Sequence, residues 1–232
     1  MVNGASFTPG IVPNSWFTIT GTNLSATTRT WDNAIVNGQL PTTLDGVSVT
    51  VGGKPAPVYF ISPTQINAVA PDVGTGSMQV KVNTATGGES TPATVNSNTV
   101  DPAFFLWGGK YPVATRQDFT LAVKNGTLGA PTTPAKPGEV IILWGTGFGP
   151  TTPPAPFGVQ IPASTFSTAN PVKVSVGGTD AEFFGAAMAP GFAGLYQIAI
   201  RIPAGAADGD LPIVATINGA QSPTTTVITI QK

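Results

Sequence analysis

Pro13-Asn14-Ser15-Trp16-Phe17-Thr18-Ile19-Thr20-Gly21-Thr22-Asn23-Leu24 returns in the second half as Pro137-Gly138-Glu139-Val140-Ile141-Ile142-Leu143-Trp144-Gly145-Thr146-Gly147-Phe148. Each copy is a short apolar strand running into a Gly-Thr turn. Two further blocks follow in the same order. Val47 to Val51 with Gly52-Gly53 matches Val172 to Val176 with Gly177-Gly178, and Gln65 to Pro71 matches Gln197 to Pro203. Blocks that recur in order argue for an internal duplication.

Working outward, Val47 to Val51, Met78 to Val82, Val172 to Val176 and Ile198 to Ile202 alternate at period two, which sends one set of side chains inward and none along a helical stripe. Gly (28) and Pro (23) fall between these runs, so they read as turns between strands and not as disorder. The expected fold is all-β, two tandem Ig-like sandwiches with almost no helix. A boundary in the polar stretch Thr94 to Asp101 gives domains 1–100 and 101–232. Because the repeat starts at Asn3-Gly4 and at Asn125-Gly126, the segment 101–124 has no counterpart in the first half. Its runs Phe104 to Trp107 and Phe119 to Val123 look strand-like and are expected to cover a sheet edge or to wedge between the domains.

Composition removes several chemistries. With no His and no Cys there is no His-based triad, thiol nucleophile, zinc finger or iron–sulfur site. Ten basic against 11 acidic residues leave a net charge of −1, without the cationic footprint that nucleic acid requires. Charged residues make up 9% of the chain. A globule of this mass exposes on the order of 9,800 Å², so its surface is mostly Thr, Ser, Asn, Gly and apolar atoms and repels its neighbours weakly. No apolar run reaches the ~20 residues of a membrane span, and Met1-Val2-Asn3-Gly4 lacks the opening of a signal peptide.

Six ordered motifs carry a resemblance: Asn3 to Phe7, Leu40 to Val49, Ser62 to Asn67, Pro134 to Glu139, Gly145 to Pro150 and Ala189 to Gln197. On these the chain resembles the C-terminal domain family of exported proteins of Solibacter-type acidobacteria, related to the Ig-like folds called IPT/TIG. The resemblance implies a bacterial exported origin, with this chain as a mature form or an excised piece, and carries no catalytic residues over. Asp45 and the run Thr30 to Gln39 depart from the family's usual pattern.

Candidate sites are sparse. Gly145-Thr146-Gly147-Phe148-Gly149 follows a strand in the manner of a dinucleotide loop, but Pro150 and Pro153-Pro154 forbid the helix that would hold a pyrophosphate, so it reads as a turn. Asp208-Gly209-Asp210 offers two carboxylates where a calcium loop needs six or more oxygens, and reads as an inter-strand turn. The acids are scattered without a glycosidase-like pair. Trp31, in the polar loop Thr30-Trp31-Asp32-Asn33, is the best candidate for an exposed contact residue, with Trp107 and Tyr111 as a second stacking platform for sugar rings. Trp16 and Trp144 read as packing residues facing opposite sides of the repeated strand. Asn67 is expected to satisfy turn backbone.

The sequence therefore predicts a non-catalytic structural or adhesion module of the cell exterior, with no cofactor or metal and no nucleic-acid partner. Carbohydrate binding through Trp31 is the alternative, and a spacer or terminal module of a larger exported protein a third. An edge of the first domain left open, with few Lys to protect it, allows self-association by strand addition, and a monomer whose edges are blunted by Pro55 and Pro57 is the competing reading.

Overall fold

The computed structural model describes residues 1–232 and contains strands and turns without a helix. No helix is therefore long and apolar enough to cross a membrane. In chain order the first half forms β1 (Val2–Asn3), β2 (Trp16–Thr20), β3 (Arg29–Thr30), β4 (Thr43–Leu44), β5 (Val47–Val51), β6 (Lys54–Ala56), β7 (Val58–Ile61), β8 (Gln65–Val69), β9 (Gly76–Thr84), β10 (Gly88–Glu89) and β11 (Ala93–Ser97). The next segment holds β12 (Ala103–Phe104), β13 (Leu106–Trp107), β14 (Tyr111–Pro112) and β15 (Ala114–Thr115). The second half continues with β16 (Val140–Thr146), β17 (Thr151–Thr152), β18 (Ser167–Thr168), β19 (Val172–Val176) and β20 (Thr179–Asp180). It ends with β21 (Glu182–Met188), β22 (Tyr196–Arg201), β23 (Gly209–Ile217), β24 (Ala220–Gln221) and β25 (Val227–Ile230).

The strands build two tandem sandwiches. One sheet of the first runs β1-β2-β8-β7-β3 and the other β10-β9-β5-β4, with β11 on β9 and β6 on β5. The second repeats this order as β12-β16-β22-β21-β18 and β24-β23-β19-β20, with β25 on β23. Even the bulge recurs. The β7/β8 register slips between Val58 and Phe60, and the β21/β22 register slips between Phe183 and Gly185.

Alternation decides what each strand buries. Phe17 and Ile19 on β2 and Ile66 and Ala68 on β8 turn inward with Val47, Val49 and Val51 of the facing sheet. Each of these Phe, Ile and Val side chains contributes roughly 1.5–3 kcal/mol on burial. The second cluster runs from Phe104 to Ile230, with Leu143, Tyr196, Ile198 and Ile213 at its centre. Ala193 of the second half belongs to the first cluster, so the two sandwiches meet through packed atoms.

Segment 101–124 covers an edge of its own sandwich: β12 and β15 both pair with β16, and the β13–β14 hairpin loops out between them. Phe119 to Val123 is not a strand. Phe119 sits at φ +63 in the turn that Asp118 closes on Thr120, and only isolated bridges follow, Thr115 to Leu121 and Ala122 to Thr133. In the first sandwich β1 lies along the edge of β2. The barer edge is that of β21, which meets β18 at the single pair Ser167 and Ala187.

Candidate functional site

The Gly-Thr-Gly run at the end of β16 ties the second sandwich to the first. Gly147 N–H donates to Ser15 Oγ (3.1 Å), Trp16 N–H donates to Thr146 Oγ1 (2.9 Å), and Thr146 Oγ1 donates to the Gly194 carbonyl (2.8 Å). A Cβ on Gly147 would stand 1.9 Å from the Asp101 carbonyl oxygen, and its φ is +80, so only glycine fits. The motif thus serves domain packing, and the absence of any following helix agrees with its reading as a turn. Tyr196 adds a buried donor beneath it, bonded to the Gly149 carbonyl; burial pushes its phenol well above the usual range and keeps it protonated.

A second attachment lies across the molecule. Leu40 N–H donates to the Gly158 carbonyl (2.9 Å), Gln160 N–H donates to the Gly38 carbonyl (2.8 Å), and Gln39 bridges Val159. The loops of the two halves that correspond in the duplication therefore hold each other.

Between these attachments opens a cleft of about 540 Å³. Its floor is the outer face of β2, β8 and β7. Trp16 and Thr18 share the parity that points away from the core, as does Asn67, while the bulge adds Tyr59. Trp31 joins them from the loop after β3. The Trp16, Trp31 and Tyr59 rings lie 5.1–5.5 Å apart, tilted by 52° to 76° to one another. Phe105, Gln160 and Phe192 of the second half form the opposite wall. Asn67 Oδ1 accepts from Thr18 Oγ1 (3.0 Å) and from Gln65 Nε2 (2.8 Å), which aims the amide nitrogen away from both.

The sequence candidates separate here. Trp31 is not exposed: at 8% it is part of the first core, because its N–H donates to the Tyr59 carbonyl and draws the ring onto Tyr59 and Trp16. It still borders the cleft. Trp107 and Tyr111 lie elsewhere, facing each other across the β13–β14 hairpin. Trp107 is half-buried with its indole nitrogen unpaired, beside a separate cavity shared with Phe7. Tyr111 is not an open platform. Lys110 and Lys124 stand 5.3 and 5.7 Å from its ring centroid, and its hydroxyl donates to Asp210 (3.0 Å). Asn67 bonds side chains of its own sheet and not turn backbone. Trp16 and Trp144 both face outward, since the repeat sets them four positions apart, at Val140 and Thr20 equivalents, and the parity is the same.

Asp210 is an ionic hub and not a turn residue. It is the second residue of β23, accepts from Thr229 Oγ1 (2.6 Å), Lys110 Nζ (3.0 Å) and Tyr111, and lies 3.6 Å from Lys124 Nζ. The Thr229 hydroxyl, with the lysine and the phenol, holds its carboxyl well below the usual carboxylate range. Asp208 instead accepts from the Lys232 N–H. No group of three His, Cys, Asp or Glu comes together. Chemically the cleft offers aromatic faces, amides and one carboxylate: equipment for binding.

Comparisons with known proteins concern the fold. No curated protein sequence matches the chain. Solved structures with similarity include the Bacteroides ovatus mixed-linkage glucan utilization locus SGBP-B in complex with mixed-linkage heptasaccharide, at 12% identity and TM-score 0.39 over 96% of this chain and 43% of that one. The chain spans less than half the length of that protein. The fibronectin(III)-like modules of Clostridium thermocellum CbhA match at 12% and TM-score 0.23, covering 99% of this chain and 88% of theirs. The D00-D0 domain of intimin matches at 12% and TM-score 0.24, with 96% of each chain covered. Residues 6–99 match the IPT/TIG domain, and the first sandwich is thereby related to the IPT/TIG Ig-like domains.

Proposed function

We propose that this chain is a non-catalytic module of the cell exterior, adhesive in role, in which two Ig-like sandwiches act as one body that presents the cleft between them. The observation that carries the reading is the double attachment, Ser15–Trp16 to Thr146–Gly147 and Gly38–Leu40 to Gly158–Gln160. A plain spacer has no need of paired loops or of aromatic rings turned into the gap. Five of the 11 acids, Asp45, Glu89, Glu139, Glu182 and Asp210, stand within ion-pair distance of Arg or Lys, and Asp32 is the single acid of the cleft, without a second carboxyl beside it. The test is binding of the labelled chain to intact bacterial cells beside a broad hydrolase screen. Saturable attachment without turnover is expected; turnover abolished by changing one named acid, or no attachment at all, overturns the reading.

A second contact surface is favoured by the edge of β21. Phe183 and Phe184 are 39% and 49% exposed there, and Phe184 occupies the bulge position that Tyr59 holds in the first sandwich. In the first sandwich the loop bearing Trp31 covers that position. The corresponding loop of the second half is engaged at Gly38 and Leu40, which leaves this edge for strand addition by another copy.

A further inference from the structure

We propose that the cleft is a saccharide site, taking the end or a short segment of a neutral glycan chain; the proposal rests on the recognition role above and names its ligand class. Sugar rings carry patches of C–H that stack on aromatic faces and a rim of hydroxyls that needs fixed donors and acceptors. Trp16 and Tyr59, both half-buried, supply the faces, and the buried Trp31 holds them from behind while bordering the cleft. The three rings lie 5.1–5.5 Å apart at tilts of 52°, 72° and 76°, so they pack on one another as one uneven aromatic wall that a sugar unit meets from one side and that cannot lie flat on a crystalline polysaccharide.

The polar groups are equally specific. Asn67 spends its amide oxygen on Thr18 and Gln65, and its two amide hydrogens remain for a ligand oxygen at the floor of the cleft. Their direction is fixed before any ligand arrives, which lowers the ordering cost of binding. At the rim Thr30 donates to one oxygen of Asp32 and leaves the other as an acceptor, and Gln160 donates to the Gly191 carbonyl and leaves its amide oxygen. A hydroxyl, at once donor and acceptor, answers all three.

Charge selects among saccharides. No Lys or Arg borders the cleft, so phosphate, sulfate and uronate lack a counter-ion, and the Asp32 carboxylate repels them. An apolar peptide is disfavoured for another reason: it would cover the Asn67 hydrogens without pairing them. The volume of about 540 Å³ lies within the roughly 300–1,000 Å³ of small-ligand sites.

The experiment is a titration of the full chain with cellotriose, maltotriose, mannotriose and trigalacturonate, followed by intrinsic fluorescence, since Trp16 and Trp31 report from the cleft. Microcrystalline cellulose is added in a separate pull-down. At least one neutral trisaccharide is expected to give a saturable change, with trigalacturonate and cellulose silent. Asn67→Asp keeps the acceptor for Thr18 and Gln65 but replaces the two donor hydrogens with an acceptor oxygen. It is expected to weaken binding about tenfold or more with an unchanged melting temperature. Tyr59→Ala is expected to weaken it similarly, and retention of cooperative melting controls for folding. Silence of all three neutral sugars, equal binding by Asn67→Asp, or preference for trigalacturonate overturns the proposal. If the chain still attaches to cells after such a result, the ligand class is wrong and the surface role stands.

Discussion

Thr146 holds Trp16 from the other sandwich: its hydroxyl oxygen accepts the Trp16 amide at 2.9 Å while its proton goes to the Gly194 carbonyl at 2.8 Å. The residue is fully buried. Thr146→Val keeps the shape and strands both partners, each at a cost of about 1–3 kcal/mol. Denaturant unfolding is expected to show a loss of about 2–4 kcal/mol for Val and less than about 1 kcal/mol for Thr146→Ser, which retains the oxygen. Equal losses for the two would place the effect in packing.

Gly194 has φ +60, and a Cβ there would meet the Trp16 indole at 3.2 Å. Gly194→Ala is expected to cost about 1–2 kcal/mol in backbone strain and to displace the indole into the cleft. The checkable signature is a shifted tryptophan emission in the native state, together with weakened sugar binding.

Asp210 sets an acid limit. Its carboxyl is held below the ordinary value, so the stability it contributes is fully present above the unfolded pKa of about 3.9 and drains away as pH falls toward its folded pKa. Asp210→Asn is expected to cost about 1–2 kcal/mol at pH 7. The gap to the unaltered chain should narrow progressively below about pH 4. A gap that is constant from pH 7 to pH 2 contradicts the assignment.

The β21 edge predicts concentration-dependent association. In multi-angle light scattering the average mass is expected to rise above 23.5 kDa with concentration and to return to it in Phe184→Lys, because a charge on the edge opposes strand addition. A strict monomer at every concentration removes this second contact surface.

The sandwiches were legible because alternation and turn glycines are local signals, and because the repeat of Pro13 to Leu24 at Pro137 to Phe148 doubled them. The cleft was harder to see. Trp31 stands in a run of polar residues, and nothing nearby in sequence says that Tyr59 and Trp16 will enclose it. One signal was available: Trp16, Thr18 and Asn67 share outward parity on paired strands, which marks a polar-aromatic face. Tyr59 escaped even that test, since the bulge between Val58 and Phe60 breaks the period. Tyr111 misled because Asp210, which gathers Lys110 and Lys124 over its ring, lies 99 residues further along the chain.

The loop exchange at Gln39 and Val159 also bears on time. Domains joined by a single linker close around what they bind, and that closure adds a slow step to association. Here the halves are fastened on both sides of the opening, so the mouth is expected to keep one width whether empty or filled. Ligand capture by such a mouth is a single encounter, its observed rate rising linearly with ligand concentration and never levelling off at the speed of a moving wall.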